Sequence, residues 1–385
     1  MNNKNKLKVF FLISLLALSL FTSLLTGISP ARTAPSVFDV DQASASGFYI
    51  PDAYESVNAI PTARNSSYKD IKLYPGGVPF GVKFHTDGLI VIGFSDIENG
   101  GEQSNPAYDA GLREKDIITS INGRPAAEVS TLTEEIEKNA GGELTLTCKR
   151  AGRDYVAHVT PKYSEADGRY KTGLLIRDSG AGIGTVTFID PETLSFGGLG
   201  HGICDGDTGE LIPMDRGNVL EVTISGIAKG AAGAPGEIKG YFGSKKTGAL
   251  TSNTTCGVYG SLASLPSSLP EEPLPIATRD ELKEGDAYIY CTLDYSGIPC
   301  RYSVKISDIN RSANGNKCFT VKVTDQSLIE KTGGIVRGMS GSPIIQDGKL
   351  VGAVTHVLVN DPESGYGIFI ENMLNAAQMP MAKAS

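Results

Sequence analysis

The longest apolar run of the chain comes first. From Val9 to Ile28 no position is charged and most are apolar, and Lys4, Lys6 and Lys8 precede the run. Twenty such residues cross a bilayer as a helix at about 1.5 Å per residue. A secretory signal has a shorter apolar region, roughly 7–15 residues. The pattern predicts an uncleaved signal-anchor over residues 1–28, with the lysines cytoplasmic and everything after Ile28 outside. Ser29-Pro30-Ala31 is a poor cleavage site, and the tidier Ala43-Ser44-Ala45 lies too far from the run. Residues 29–70 are mixed polar, contain Pro30, Pro35, Pro51 and Pro61, and read as a tether.

Beyond the tether the apolar positions fall into short runs. Residues 71–162 form one predicted module. Val82–Phe84 and Leu89–Phe94 read as strands. Asn105–Leu112 suits a short helix opened by Pro106 and closed by Gly111. Lys115–Ile121 alternates apolar and polar residues and ends in the hairpin signal Asn122-Gly123. A helix carrying Leu132 and Ile136 follows, then the alternating strands Glu143–Lys149 and Tyr155–Val159. Pro106, Ala107, Ala110-Gly111-Leu112, Asp116, Ile118 and Asn122-Gly123 together resemble a PDZ domain of the type appended to bacterial proteases. Lys115 departs from that family, which often has Gly there. The resemblance implies that Phe80, Gly81 and Val82 form a loop whose amides hold the carboxylate of a peptide added as a strand.

Residues 163–385 show short apolar runs between turns at Leu174–Ile176, Thr185–Ile189, Leu220–Ile227, Ala287–Leu293, Tyr302–Ile306, Phe319–Val323, Leu350–Val357 and Gly367–Ile370. This spacing predicts an all-β sandwich or a pair of barrels. The predicted architecture is therefore mainly β: a membrane helix, a PDZ-like α+β module, and a β domain long enough for two cores.

Composition narrows the function. The 46 Gly and 20 Pro suit short strands and many turns, and the net charge of −8 is not that of a polyanion binder. There is no basic stripe with interleaved aromatics and no phosphate-cradling glycine loop, so no nucleic-acid partner is expected. The six cysteines form no Cys-x-x-Cys pair, which argues against structural zinc. Cys291 and Cys300 flank a predicted turn, a spacing that suits either a hairpin bridge or free thiols. Asp205-Gly206-Asp207-Thr208-Gly209 lacks the remaining ligands of a calcium loop. Neither a metal nor a cofactor is expected.

The chemistry concentrates in Gly338-Met339-Ser340-Gly341-Ser342-Pro343. Glycines let the backbone turn sharply beside a serine and aim successive N–H groups at one point. A serine hydroxyl needs a base to become a nucleophile. Of the four histidines, His85 and His158 fall in the PDZ-like module. His201 lies on the glycine-rich stretch Gly197–Gly202 and is the expected base. His356, at the end of the strand after Ser340, is the competitor, otherwise pocket lining or core. Spacing does not choose the acid among Asp178, Asp190, Asp205, Asp207, Asp294, Asp308 and Asp325.

The serine and histidine segments, in this order and at this separation, resemble trypsin-like proteases, with their two β-barrels. Gly182-Ile183-Gly184-Thr185, Leu199–Ile203, Thr332–Pro343 and Gly352–Pro362 resemble, more closely, the stage IV sporulation protein B peptidase family. That resemblance implies Ser340 as nucleophile, His201 as base, Asp325 as acid, and the amides of Gly338 and Ser340 as oxyanion hole. Asp325 lies much nearer the serine than the acid of ordinary trypsin-like enzymes. The resemblance further implies a membrane-tethered peptidase of the space between the forespore membranes. Such an enzyme cleaves itself and a membrane-bound regulator of an intramembrane protease, and so activates a mother-cell sigma factor. The competing expectations are an inert PDZ adaptor on a protease-like scaffold and an envelope quality-control protease.

Overall fold

The computed structural model describes Ala43–Ser44, Tyr68 and residues 70–377, apart from 207 and 271. The apolar run Val9–Ile28 and most of the tether lie outside the described residues. Among the described residues no helix is long and apolar enough to cross a membrane.

Two six-stranded antiparallel barrels dominate. In the first, Pro79–Phe94 pairs along one edge with Met214–Ala228 and along the other with Leu174–Ile189. Ser195–Gly198, Gly257–Leu262 and Glu237–Thr254 complete the ring. The second barrel closes through Gly285–Cys291, Cys300–Ser307, Phe319–Val323, Asp361–Phe369, Lys349–Leu358 and Pro343–Gln346. Closure removes the exposed edges that an open sheet would carry. The period-2 pattern is visible in Cys300–Ser307, where Tyr302, Val304 and Ile306 are buried and their neighbours are not. Phe80, Val82, Phe84, Val186, Phe196 and Val258 fill the first barrel. The second core extends across the seam to take in Phe188, Ile238 and Tyr259 of first-barrel strands.

The PDZ-like module is an insertion in the first barrel. Pro79–Phe94 and Leu174–Ile189 are both 16 residues long and stay paired from Pro79↔Thr185 to Phe94↔Leu174. Their near halves are barrel strands. Their far halves enter a third core of Leu89, Val91, Leu112, Ile118, Leu132, Ile136, Leu144 and Leu146, against which Leu174 and Ile176 pack. Ile117–Ile121, Leu144–Arg150 and Arg153–Val159 continue that sheet. Asn105 caps the short Pro106–Asp109 helix by accepting from the Tyr108 amide. Leu132 and Ile136, one turn apart, bury one face of the Val129–Asn139 helix. Asp116 is fully buried and ties the module together. Burial pushes its carboxyl up, but bonds from Arg150, Tyr155 and the Arg113 amide outweigh this and hold it below the usual range.

Two expectations need correction. The boundary between 71–162 and 163–385 does not separate the folding units, because Lys72–Pro75 and the first half of Pro79–Phe94 belong with the first barrel. Both long strands run on without a break and carry apolar residues in both halves, so composition marks no border. Phe80, Gly81 and Val82 are not a loop either. They lie mid-barrel opposite Gly184, Ile183 and Gly182. Phe80 is 2% exposed and meets Phe196 edge-on at 5.6 Å. The Phe242 ring occupies the space beside Gly81, 2.6 Å from where a Cβ would stand.

Phe80→Ala is therefore expected to cost about 3–5 kcal/mol of stability. A thermal melt will show it as a lowered midpoint. A loss of peptide binding with an unchanged midpoint would restore the loop assignment.

Candidate active site

The segment around Ser340 is set by what precedes it. The Gln326–Thr332 helix ends at Gly333 in the left-handed region. Ile335 then donates to Pro362 O, and Arg337 to Gly236 O across the seam. Met339, Gly341 and Ser342 donate their amides to Val336 O, Val354 O and Met339 O. Among the described residues no backbone carbonyl accepts from the amides of Gly338 or Ser340. Those two N–H groups are the ones that the sequence resemblance assigns to an oxyanion hole.

The first barrel clamps this loop. The Thr185 amide donates to Ser340 O at 3.1 Å, and its hydroxyl donates to Gly338 O at 2.7 Å. The Thr187 hydroxyl donates to Gly341 O at 2.8 Å. Gly341 has φ +94°, and a Cβ there would stand 2.1 Å from Thr185 O and 2.5 Å from Leu199 N. Only glycine allows three backbones to meet so closely.

His201 arrives from the other side of that contact. Leu199 and Gly200 both have positive φ, and Gly200 lies against Thr355. The His201 ring is buried, and its Nδ1 lies 2.8 Å from Gly202 O. A carbonyl accepts only, so Nδ1 carries the proton and Nε2 holds the lone pair. Among the described residues Nε2 has no hydrogen-bond partner. The His356 ring lies 5.0 Å away, tilted by 43°, and its Nδ1 is likewise unpartnered. The Ser340 hydroxyl donates to Thr355 O at 2.7 Å, one residue before His356. The structure thus brings Ser340, His201 and the competitor His356 to one place.

Both imidazoles are held neutral. Burial lowers His201, with the Gly202 carbonyl opposing weakly. Burial lowers His356 to about 2, helped by repulsion from Lys317 and from any proton on the neighbouring His201.

The expected acid is not brought to the histidine. Asp325 is the N-cap of the Gln326–Thr332 helix, accepting from the amides of Ser327 and Leu328, the Ser327 hydroxyl and the Ser303 amide. These bonds hold its carboxyl below the usual range, the Ser327 hydroxyl most of all. Several other candidates serve local structure. Asp190 and Asp294 close turns, Asp178 accepts from the Val129 amide, and buried Asp205 pairs with Arg177. Asp207 lies outside the described residues. His85 sits in the long ribbon opposite Ser179, and His158 pairs with Glu143 on the surface. Among the described residues no group of three metal-ligating side chains occurs. Residue patterns did not single out Thr355 or the Gly202 carbonyl, because both act through backbone oxygens. Thr185 had a signal, the Gly-Ile-Gly-Thr run.

Two outcomes follow. Asp325→Asn or Asp325→Ser keeps an N-cap and should retain activity within a few-fold, whereas Asp325→Ala should lose about 1 kcal/mol of stability. If Asp325 were the triad acid, the Asn variant would instead lose roughly ten-thousandfold in turnover. The second outcome concerns acid. A base held neutral by burial keeps its lone pair below the ordinary histidine value of about 6.5. Labelling of Ser340 by a fluorophosphonate should therefore stay level from pH 7.5 to about 6.5 and fall only at lower pH. Stability should fall over the same acid range. Folded pKa values below the unfolded ones leave the unfolded chain binding more protons, at about 1.4 kcal/mol per pH unit per imidazole. Urea midpoints measured against pH will show the slope.

The model of the SpoIVB peptidase S55 family matches residues 168–374, more than half of the chain. The chain is 38% identical over 74 residues to LL2128 of Lactococcus lactis, named as a zinc metalloprotease, covering 19% of this chain and 17% of that protein. It is 42% identical over 60 residues to the serine protease HTRA1 of Xenopus laevis, covering 16% and 13%. The chain spans well under two thirds of these relatives. Among solved structures, the Rv3671c protease in its inactive form is similar at 15% identity and TM-score 0.30, covering 51% of this chain and 85% of that one. The HtrA-type protease AlgW with a decapeptide is similar at 13% identity and TM-score 0.31, covering 55% and 53%. With a glycine-bracketed serine and a buried histidine at the joint of two barrels, and a family match over both, this chain belongs to the SpoIVB peptidase S55 family of serine peptidases.

Proposed function

We propose that this chain is a membrane-tethered endopeptidase that makes a few regulatory cuts, with Ser340 as nucleophile and His201 as base. The observation that carries the reading is a buried His201 whose Nε2 finds no partner among the described residues, on the loop that packs against the turn after Ser340, together with two amides there that no backbone carbonyl claims. For reaction, the Ser340 hydroxyl leaves Thr355 O and turns to Nε2. Nε2 takes its proton as Oγ attacks a peptide carbonyl. The Gly338 and Ser340 amides receive the oxyanion. His201 then protonates the leaving amine, and water repeats the cycle on the acyl-enzyme. The Gly202 carbonyl fixes the tautomer, the service that a carboxylate gives in a triad. A carbonyl dipole stabilises the imidazolium less than a full charge does.

The finer reading rests on the family and the sequence. The apolar run with its lysines supports an anchored chain whose catalytic part is extracytoplasmic. The family supports self-cleavage and cleavage of a membrane-bound regulator of an intramembrane protease, ending in sigma-factor activation. The inserted module supports a peptide ligand. With the Phe80–Val82 segment in the barrel, the strand available for peptide addition is Leu174–Asp178, beside the Val129–Asn139 helix.

Ser340→Ala and His201→Gln are each expected to reduce cleavage at least about a thousandfold. Fluorophosphonate labelling of detergent-solubilised protein and, in a separate unlabelled sample, incubation with candidate membrane substrates check both. Unchanged cleavage in Ser340→Ala sinks the assignment. Digestion of unfolded casein at many sites would point to quality control rather than regulation.

A further inference from the structure

The proposed chemistry leaves the cysteines unused. All six are free; Cys300 is exposed and the other five are buried. Two of them are register partners, since Cys291 faces Cys300 across the Gly285–Cys291 and Cys300–Ser307 hairpin. Partner Cα atoms in an antiparallel pair lie about 4.5–5.5 Å apart. A disulfide spans about 4.4–6.8 Å. Side-chain direction agrees. Ala287, Ile289 and Cys291 are the buried positions of the first strand, and Tyr302, Val304 and Ile306 those of the second. Ala287 faces Val304 and Ile289 faces Tyr302, so Cys300 continues the inward phase at the hairpin's outer end. Both thiols therefore share one face of the hairpin.

The place matters for the joint between the barrels. Thr292, the next residue, is buried and donates its hydroxyl to Gly77 O at 2.9 Å. Gly76 and Gly77 in turn donate to Thr187 O and Val186 O at 2.9 and 2.8 Å. Thr187 holds the carbonyl of Gly341 beside Ser340. The hairpin end is thus connected by three consecutive contacts to the loop that carries the nucleophile.

We propose that Cys291 and Cys300 form a redox-responsive pair whose disulfide pins the hairpin end against the first barrel. The exposed Cys300 thiolate attacks a disulfide oxidant such as oxidised glutathione. One oxidant thiolate leaves, and a mixed disulfide forms on Cys300. Cys291 gives up its proton to solvent and displaces the second oxidant thiol. One S–S bond breaks, one forms, and the two protein thiols lose two electrons to the oxidant. Burial raises the Cys291 thiol well above its ordinary range, so the second step is the slower one.

The test uses the full chain in detergent, incubated with oxidised glutathione, then denatured and alkylated. Mass spectrometry should find a Cys291–Cys300 linked peptide and two fewer alkylated cysteines than in the reduced protein. The oxidised protein should melt at a higher temperature than the reduced one, and Cys300→Ser, an exposed change that leaves the core intact, should abolish the difference. Full alkylation of both cysteines, glutathione that stays on Cys300, or a link between two other cysteines in its place would overturn the pair. An unchanged midpoint in fully linked protein would overturn the pinning.

Discussion

Three backbones meet at Gly341 with no room for a Cβ, and the catalytic arrangement depends on that contact. The Thr185 carbonyl of the first barrel, the Leu199 amide before His201, and the turn after Ser340 all close on one point. Separate strands hold each of them, so the serine and the histidine are positioned by barrel packing rather than by their own side-chain bonds. Residue volume at this point sets the distance between the barrels. Any substituent on Gly341 would separate the nucleophile from the base before it touched either.

The second constraint is the continuity of the two long strands. A module hung on a flexible linker moves independently of the domain beside it. Here the linker is a paired ribbon whose two ends lie in two different cores. Arg177, on this ribbon, pairs with buried Asp205, four residues after His201. Lys115 of the inserted module reaches Glu210 of the same loop at 3.0 Å, although that pair is half exposed and contributes little by itself. The histidine loop is therefore in contact with the strand that a peptide ligand would extend.

Electrostatics at the site follow from burial more than from charge pairing. Among the described residues no carboxylate accepts from His201; its ring faces a backbone carbonyl and a second imidazole. Two rings this close and this buried favour the doubly neutral state, because each proton would be desolvated and would repel the other. This preserves the lone pair that the reaction needs and makes the fold sensitive to acid. Asp325 contributes at a distance, by capping the helix that leads into the nucleophile loop.

Local patterns carried much of this. Alternating positions, the Asn-Gly turn and the Leu132/Ile136 spacing placed strands and helix, because those signals depend only on neighbours in the chain. The glycines around Ser340 and His201 were legible because left-handed and close-approach positions admit few other residues. The acid and the peptide loop were not legible. Asp325 reads equally as a catalytic carboxylate or a helix cap, since both need a short acidic side chain before a polar stretch. Phe80-Gly81-Val82 reads equally as loop or strand, since the same apolar residues suit either. By itself the sequence determined the chemistry available: a glycine-bracketed serine, a buried-type histidine, a module and an apolar leader. Only the tertiary structure decided which groups meet, because register and barrel closure join residues far apart in the chain, such as Thr185 and Gly338, 153 positions apart.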